Sequence, residues 1–297
     1  MARKPRISPA QLDHCVLLVR DLATARARLS ALGFTVAPDG VHPFGTANCC
    51  VYLADGFFLE PLAVASKAAA AKAMRNENVF VARDRAFRLR NGDNGFSALV
   101  VASDDAIADH RRYRKGGWSA GRKLEFARAF TDAQGNSGKA SFRLAFCSDP
   151  ASPDALFFSC ERVAVPHVDR TALQRHENGV TGLSQVIVSE EQPARFADVM
   201  EYILDTAPVK TDAEIGFDAS GVQIRIMKPD TMRNVFAIAR EARDRGLRLE
   251  GLVFHVSSLA GLAERFKANG VEHSARLGRV IVPAAPGQGA FFVFEEA

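Results

Sequence analysis

The sequence predicts an α+β fold: four βαβββ modules in two paired units, each unit a concave mixed sheet with helices outside. Three observations predict it. A strand–helix–strands order recurs along the chain at spacings of roughly 70 to 90 residues, too regular for chance and too long for ordinary solenoid repeats. Strands open each copy with apolar residues on both sides, as strands covered on both faces do. The helices of three copies end on a glycine just before an apolar residue: LSALGF (29–34), YRKGGW (113–118) and FKANGV (266–271). The third copy lacks that glycine.

The first copy opens with LDHCVLLV (12–19), apolar except for Asp13 and the polar His14. Asp21 is placed to cap a helix whose apolar positions Leu22, Ala25, Leu29 and Leu32 follow helical spacing. Gly33 stands where a positive φ ends a helix. Strand-like stretches follow at FTVA (34–37), ANCCVYLA (47–54) and FFLEPLAV (57–64), the last two joined by a turn at Asp55-Gly56. The second copy begins at GFSALVVA (95–102), with a helix from about Asp104 to Lys115 and strands at LEFARAF (124–130), SFRLAFC (141–147) and ALFFSCERV (155–163). The third begins at GLSQVIV (182–188). Pro193 suits a first helical turn, Phe196, Val199, Met200, Ile203 and Leu204 form the buried stripe, and VQIRIM (222–227) is the last strand. The fourth runs from GLVFHV (251–256) through a helix capped near Ser258, with Leu259, Leu262 and Phe266 on one face, to RVIV (279–282) and AFFVFEE (290–296).

A strand–helix followed by a three-stranded meander makes a small sheet with one face covered. The other face stays bare until a second module pairs with it, so four modules make two cups. The polar, turn-rich stretch VAVPHVDRTALQRHENGV (163–180) reads as the linker, giving a first pair over 1–170 and a second, degenerate pair over 171–297.

Composition narrows the function classes. Apolar residues make up 47% of the 297 and charged residues 24%, which excludes global disorder. No apolar run reaches the roughly 18 residues of a membrane span, and MARKPRISPAQ is followed by no apolar core of a secretory signal. The five cysteines form no CxxC and sit in apolar stretches, so they read as buried reduced thiols and the expected location is cytoplasmic. Adjacent Cys49 and Cys50 would face opposite sides of a strand, against a shared metal. The net charge of +4 is concentrated around HRRYRKGG and GRKLEFAR, but no recognition helix or exposed aromatic row accompanies it. Nucleic acid is therefore not an expected partner; the charge reads as a solvated helix face, with an anionic small-molecule substrate left open. No phosphate-binding glycine loop and no G-x-S-x-G elbow is present.

The module order over nearly the whole chain resembles the vicinal oxygen chelate superfamily of glyoxalases, extradiol dioxygenases and bleomycin-resistance proteins. HPFGTAN (42–48) is similar to the H-x-x-G-T-x-N signature of a glyoxalase-like subfamily, and QRHENG (174–179) resembles a linker element of it. The resemblance implies a divalent metal (Zn, Mn, Fe or Ni) inside a cup, held by His or Gln on first strands and Glu on last strands. Such a metal polarises a carbonyl while a carboxylate moves a proton. Carried onto this chain, it makes His14, Glu60 and Glu161 the metal ligands, with Glu60 and Glu161 the catalytic carboxylates. Ser97 falls where the second module's ligand is expected and is a poor one; His42, Asn48 and Ser97 become substrate-binding candidates. A water or a loop histidine (His42, His167 or His176) would complete the sphere. The second pair offers Gln185, Arg225 or Met227, Gly251 with His255 on the same strand face, and Glu295, which does not meet the two-histidine pattern of extradiol dioxygenases.

Bland accounts stand beside these. His14 among apolar residues can be a hydrogen-bonded core histidine. Glu60 can sit exposed before Pro61, although an acid inside FFLEPLAV is costly to bury alone. Glu161 can pair with Arg162 at a sheet edge, Glu295 and Glu296 can be solvated at the chain end, and HPFGTAN can simply shape a turn tied down by Asn48. The expected function is a metal-dependent, glyoxalase-like isomerase or lyase for a small oxygenated substrate. The alternatives are a metal-free ligand-sequestering protein of the same fold and, behind it, an extradiol-type dioxygenase. Modules exchanged within a homodimer are left open.

Overall fold

A computed structural model of the chain describes residues 10–131, 137–165, 169–240 and 244–296. The first module comprises β1 (Leu12–Leu18), α1 (Leu22–Ala31), β2 (Gly40–Val41), β3 (Thr46–Asn48), β4 (Val51–Tyr52) and β5 (Phe58–Val64). Two helices follow, α2 (Lys67–Arg75) and α3 (Val79–Asn91). The second module is β6 (Gly95–Ser103), α4 (Ala106–Gly116), β7 (Leu124–Thr131), β8 (Ser137–Cys147) and β9 (Leu156–Ala164). The third is β10 (Val180–Ser189), a 3₁₀ turn at Pro193–Phe196, α5 (Ala197–Leu204), β11 (Val209–Lys210), β12 (Glu214–Ala219) and β13 (Val222–Met227), and α6 (Pro229–Phe236) follows it. The fourth is β14 (Arg248–Val256), α7 (Leu259–Ala268), β15 (Ser274–Arg276), β16 (Arg279–Val282) and β17 (Phe291–Glu296).

Modules one and two build one mixed sheet in the order β2-β3-β5-β1-β6-β9-β8-β7, with β4 on β5. Modules three and four build another, β11-β12-β13-β10-β14-β17-β16-β15. In each module the first and last strands run parallel, as β1 does with β5 and β6 with β9. Two modules join through their antiparallel first strands, β1 with β6 and β10 with β14. Both pairings are made within the chain.

Local chemistry sets the helix ends. Asp21 accepts from Thr24 N at 2.7 Å and Asp105 from Ala108 N at 2.9 Å, satisfying N–H groups that a first turn leaves open. Ser258 stands at the cap of α7 but makes no cap bond; the Leu259 N–H donates to Glu296 instead, at 2.8 Å. The missing glycine of the third module is replaced by Asp205, which takes the left-handed conformation (φ 54°) at the end of α5. FTVA forms no strand, and ANCCVYLA is broken at Cys49 and Cys50, which leave the ladder between β3 and β4. All five cysteines are free and buried.

Helices lie on both faces of the sheets, not outside alone. Leu29 of α1, Tyr113 of α4, Met200 of α5 and Phe266 of α7 share one large core with the outward faces of both sheets. The concave faces are filled by segments outside the four modules. Ala73 of α2 and Phe80 and Phe87 of α3 pack on Val16, Leu62, Val100 and Phe158 of the first sheet. Met232 and Phe236 of α6 pack on Ile187, Val253, Ile281 and Phe291 of the second. Among the described residues no helix is long and apolar enough to cross a membrane.

The stretch expected to link the pairs is pinned to the first module. Asn178 Nδ2 donates to Leu32 O at 2.9 Å, and Asn178 N to Gly33 O at 3.2 Å. Gly33 has a positive φ (81°), and a β-carbon there would also meet Asn178 at 2.9 Å, so glycine is required twice over.

Candidate functional site

The cup of the first sheet keeps a polar floor at one end, bordered by Phe80 of α3. Asp13 and His14 of β1, His42 and Asn48 of the β2–β3 hairpin and Glu60 of β5 surround a cavity of about 60 Å³. Phe126 and Arg128 of β7, Phe142 of β8, and Phe158, Cys160 and Arg162 of β9 close its other side. His14, His42, Asn48 and Glu60 are all at least nine-tenths buried.

Each group is held by a partner behind it. His14 Nδ1 lies 2.6 Å from Asp13 Oδ2, and Arg162 lies 2.5 Å from Asp13 Oδ1. Burial pushes the Asp13 carboxyl upward, but the His14 hydrogen bond and the Arg162 charge outweigh it and leave the pKa below the usual value. An ionised Asp13 only accepts, so His14 donates from Nδ1 and turns Nε2 toward Glu60 Oε2, 3.5 Å away. Asn48 Nδ2 donates to Glu60 Oε1 at 2.6 Å. His42 Nδ1 is 2.9 Å from Thr46 Oγ1, and its Nε2 is 3.8 Å from Glu60 Oε1. Burial drives the His42 pKa down to about 4, with Glu60 opposing and Arg128 and His14 assisting, so the ring is neutral near pH 7. His14 stacks on Phe58 (4.5 Å between centroids) and meets the edge of Phe158 (5.6 Å); His42 stacks on Phe44 (5.0 Å).

The donor chemistry bears on a metal. His14 Nε2 faces a Glu60 carboxyl oxygen 3.5 Å away, a gap that a shared proton or a cation would bridge. The carboxylate–imidazole pair behind His14 and the amide behind Glu60 are the outer supports that metal-binding side chains commonly have. His14, Glu60 and the neutral His42 thus fit a divalent ion chemically. Among the described residues, however, no three His, Cys, Asp or Glu side chains are arranged to enclose one.

The register shows why. In the first sheet His14 faces Val100 and Val16 faces Ala98; in the second Gln185 faces Val253 and Ile187 faces Gly251. Caps Asp21 and Asp105 fix the offset between modules one and two. Ala98 then stands where His14 does, and Phe158 where Glu60 does. Ser97, expected at that ligand position, is one residue off; its hydroxyl donates to Val16 O at 3.3 Å, away from the polar floor.

Glu161 lies apart from the other two expected ligands. Side chains alternate along a strand, so Phe158, Cys160 and Arg162 share the cup face of β9 and Glu161 takes the other. It accepts from Ala106 N at 2.9 Å, capping α4, and from Arg143 at 2.9 Å. Glu296 does the same for α7. Glu161 is therefore outside the cluster of His14 and Glu60. His176 is also committed: Thr35 N donates to Nδ1 at 3.1 Å, and Nε2 lies 3.0 Å from Tyr52 O. His167 lies outside the described residues. Cys160 borders the cavity, but burial raises its thiol pKa far above the usual value and leaves it un-ionised.

The second cup carries none of this. Gln185 and Arg225 take the places of His14 and Glu60, and Gly251 and Val293 those of Ala98 and Phe158. Arg225 pairs with Glu214 at 2.6 Å and donates to Gln185 Oε1 at 3.2 Å; Glu295 is bound by Ser184 at 2.6 Å and Arg279 at 2.7 Å.

Sequence reasoning missed Asp13, Arg128 and Arg162. A signal existed for each. Asp13 is an acid inside an apolar strand, and Arg128 and Arg162 follow Phe126 and Phe158–Cys160 on the two-residue alternation.

A sequence model of a glyoxalase-like domain matches residues 12–204, across both modules of the first sheet and into the third. No curated protein matches the sequence. Among solved structures, a hypothetical protein from Staphylococcus aureus aligns with a TM-score of 0.65 and 13% identity, over 97% of this chain and 99% of that one. A triple mutant of 4-hydroxymandelate synthase from Streptomyces coelicolor aligns with a TM-score of 0.63 and 14% identity, over 97% and 92%. The Mn(II)-bound glyoxalase from Novosphingobium aromaticivorans gives 0.52 and 11%, over 97% and 82%. At these identities the likeness shows the paired-module fold and no activity.

Proposed function

The chain belongs to the glyoxalase-like domain family, and we propose that its first cup is the active site of an enzyme acting on a small oxygenated substrate through an oxyanion. The observation that carries this reading is the buried Glu60, fixed by Asn48 on one oxygen and facing His14 with the other. A carboxylate of this kind, oriented and shielded from water, is suited to take a proton from a carbon or oxygen of a bound substrate and return it. Asp13 fixes the tautomer of His14, so Nε2 is the atom that accepts a proton or a ligand. The neutral His42 supplies a second ring nitrogen without adding charge. The phenylalanines around the cavity lower the local dielectric, which strengthens every charge interaction within.

His14 and Glu60, with His42 beside them, are the residues that would hold a divalent metal. When bound it would supply Lewis-acid stabilisation of the oxyanion.

A second reading, a metal-free ligand-binding protein, is favoured by Ala98 and Phe158 at the positions that would complete a four-donor set. One experiment separates the two. Metal content is measured on protein purified without chelator or histidine tag, and melting is followed as Mn(II), Zn(II) or Fe(II) is added to wild type and Glu60→Gln. The enzyme reading expects near-stoichiometric metal and stabilisation on addition, both lost in the variant. Absence of both in the wild type leaves the binding-protein reading.

A further inference from the structure

We propose that Arg128 is the anion clamp of the first cup, so that its ligand is a short carboxylate bearing an oxygen on the neighbouring carbon. The assignment rests on the first cup being the substrate site, and it holds whether or not a metal binds there.

Neighbouring arginines are already paired. Arg162 is bound to Asp13, Arg143 to Glu161 and Arg88 to Asp84. Arg128 lines the same cavity, half-buried, and among the described residues it has no ion pair and no hydrogen bond. It passes over Gly40 and lies near the face of Phe142, 5.9 Å from the guanidinium carbon. A guanidinium half out of water with no acceptor is an unmet demand, and a ligand anion is what meets it.

The backbone makes room for this side chain. Gly40 has no positive φ that would demand glycine. A β-carbon there would instead run into the Arg128 guanidinium and come within 2.6 Å of Asn48 Oδ1. Gly40 is thus glycine because Arg128 passes over it, on the way to the pocket that Asn48 and Glu60 floor.

The anion is a carboxylate on two grounds. A planar fork pairs with a planar carboxylate through two parallel bonds. A phosphate would ask for more than one free cation, and the second arginine of the cavity is neutralised by Asp13. Size sets the rest. The cavity, about 60 Å³ and open on one side, has room for a small acid. With the carboxylate on Arg128, the second oxygen is directed toward His14 and Glu60, which makes 2-hydroxy and 2-oxo acids the class.

The test uses acid and amide pairs: glycolate with glycolamide, lactate with lactamide, and pyruvate with pyruvamide. Each is titrated by thermal shift and calorimetry against the full chain, metal-stripped and with Mn(II). The expected result is that at least one acid stabilises wild type and its amide does not. Arg128→Gln should weaken that acid by at least about tenfold, the loss of a charged hydrogen-bonding partner, without lowering the melting point of the free protein. Arg128→Lys should restore part of the affinity, since it returns the charge but not the fork. Gly40→Val, which removes no charged group, should weaken the acid as well. The proposal is overturned if none of the acids stabilises wild type, if acid and amide act alike, or if Arg128→Gln keeps wild-type affinity. Glu60→Gln separates this from the enzyme reading. Acid binding that depends on Arg128 and survives in a protein without metal uptake or turnover leaves the clamp standing and removes the catalysis.

Discussion

The two cups share one topology and differ in what fills them. In the first, Phe80 of α3 borders a cavity that His14, His42, Asn48 and Glu60 surround. In the second, the short helix α6 lays Met232 and Phe236 on the concave face, and the ring of Phe291 occupies the space beside Gly251. Five of its polar side chains are joined to one another: Glu214, Arg225, Gln185, Glu295 and Arg279 form a continuous chain of contacts. A duplicated scaffold thus separates two roles that compete within one site. Residues satisfied by each other stabilise a cup, and the proposed active site lies in the cup that keeps a cavity.

The strongest way to break this comparison is to exchange the charge at equivalent positions. Glu60→Gln is expected to reduce turnover of any substrate found by about 10²- to 10⁴-fold, whereas Arg225→Gln at the matching position of the second cup leaves turnover unchanged. Steady-state kinetics on both variants decides it, and equal losses would mean that both cups take part. Next in size is the plug. Phe236, fully buried, should cost about 3–5 kcal/mol of stability when changed to alanine, read from urea unfolding, with ligand binding at the first cup intact. A small loss would mean that α6 is not what holds the second cup closed.

A third effect is acid sensitivity from His42. Its pKa in the folded chain is about 4 against 6.5 for an ordinary histidine. The unfolded chain therefore binds a proton first as pH falls, and stability is lost between about pH 6.5 and 4, by roughly 3 kcal/mol in metal-free protein. Unfolding midpoints over that range should fall in wild type and flatten in His42→Phe; a parallel fall in both would assign the acid limb elsewhere. The smallest expected effect belongs to Glu161. Glu161→Ala removes a cap of α4 and the Arg143 pair, for about 1–2 kcal/mol, and leaves metal uptake and turnover as they were. Loss of metal in that variant would return Glu161 to the site.

The module order was legible because each module repeats a strong local pattern, and β1 and β5 were placed closely enough to put His14 and Glu60 together. What went astray did so by small offsets. Ser97 and Ala98 are neighbours in a strand, as are Cys160 and Glu161, and one residue of register exchanges the cup face for the opposite one. The helices in the cups escaped because they belong to no module: KAAAAKAMR and PDTMRNVF have helical composition but no repeat to announce them.

Composition, alternation and capping residues are local quantities, so the sequence by itself determined four βαβββ modules, their pairing into two sheets, the reduced cysteines, and a buried carboxylate beside a histidine. Which carboxylate faces the cup, which arginine has no partner, and which concave face is closed depend on side chains from strands far apart in sequence meeting at one point, such as Asp13 with Arg162. Such meetings are set by sheet register and by the packing of inserted helices. Only the tertiary structure decides them, because a buried charge responds to whatever the whole fold brings within a few ångströms of it.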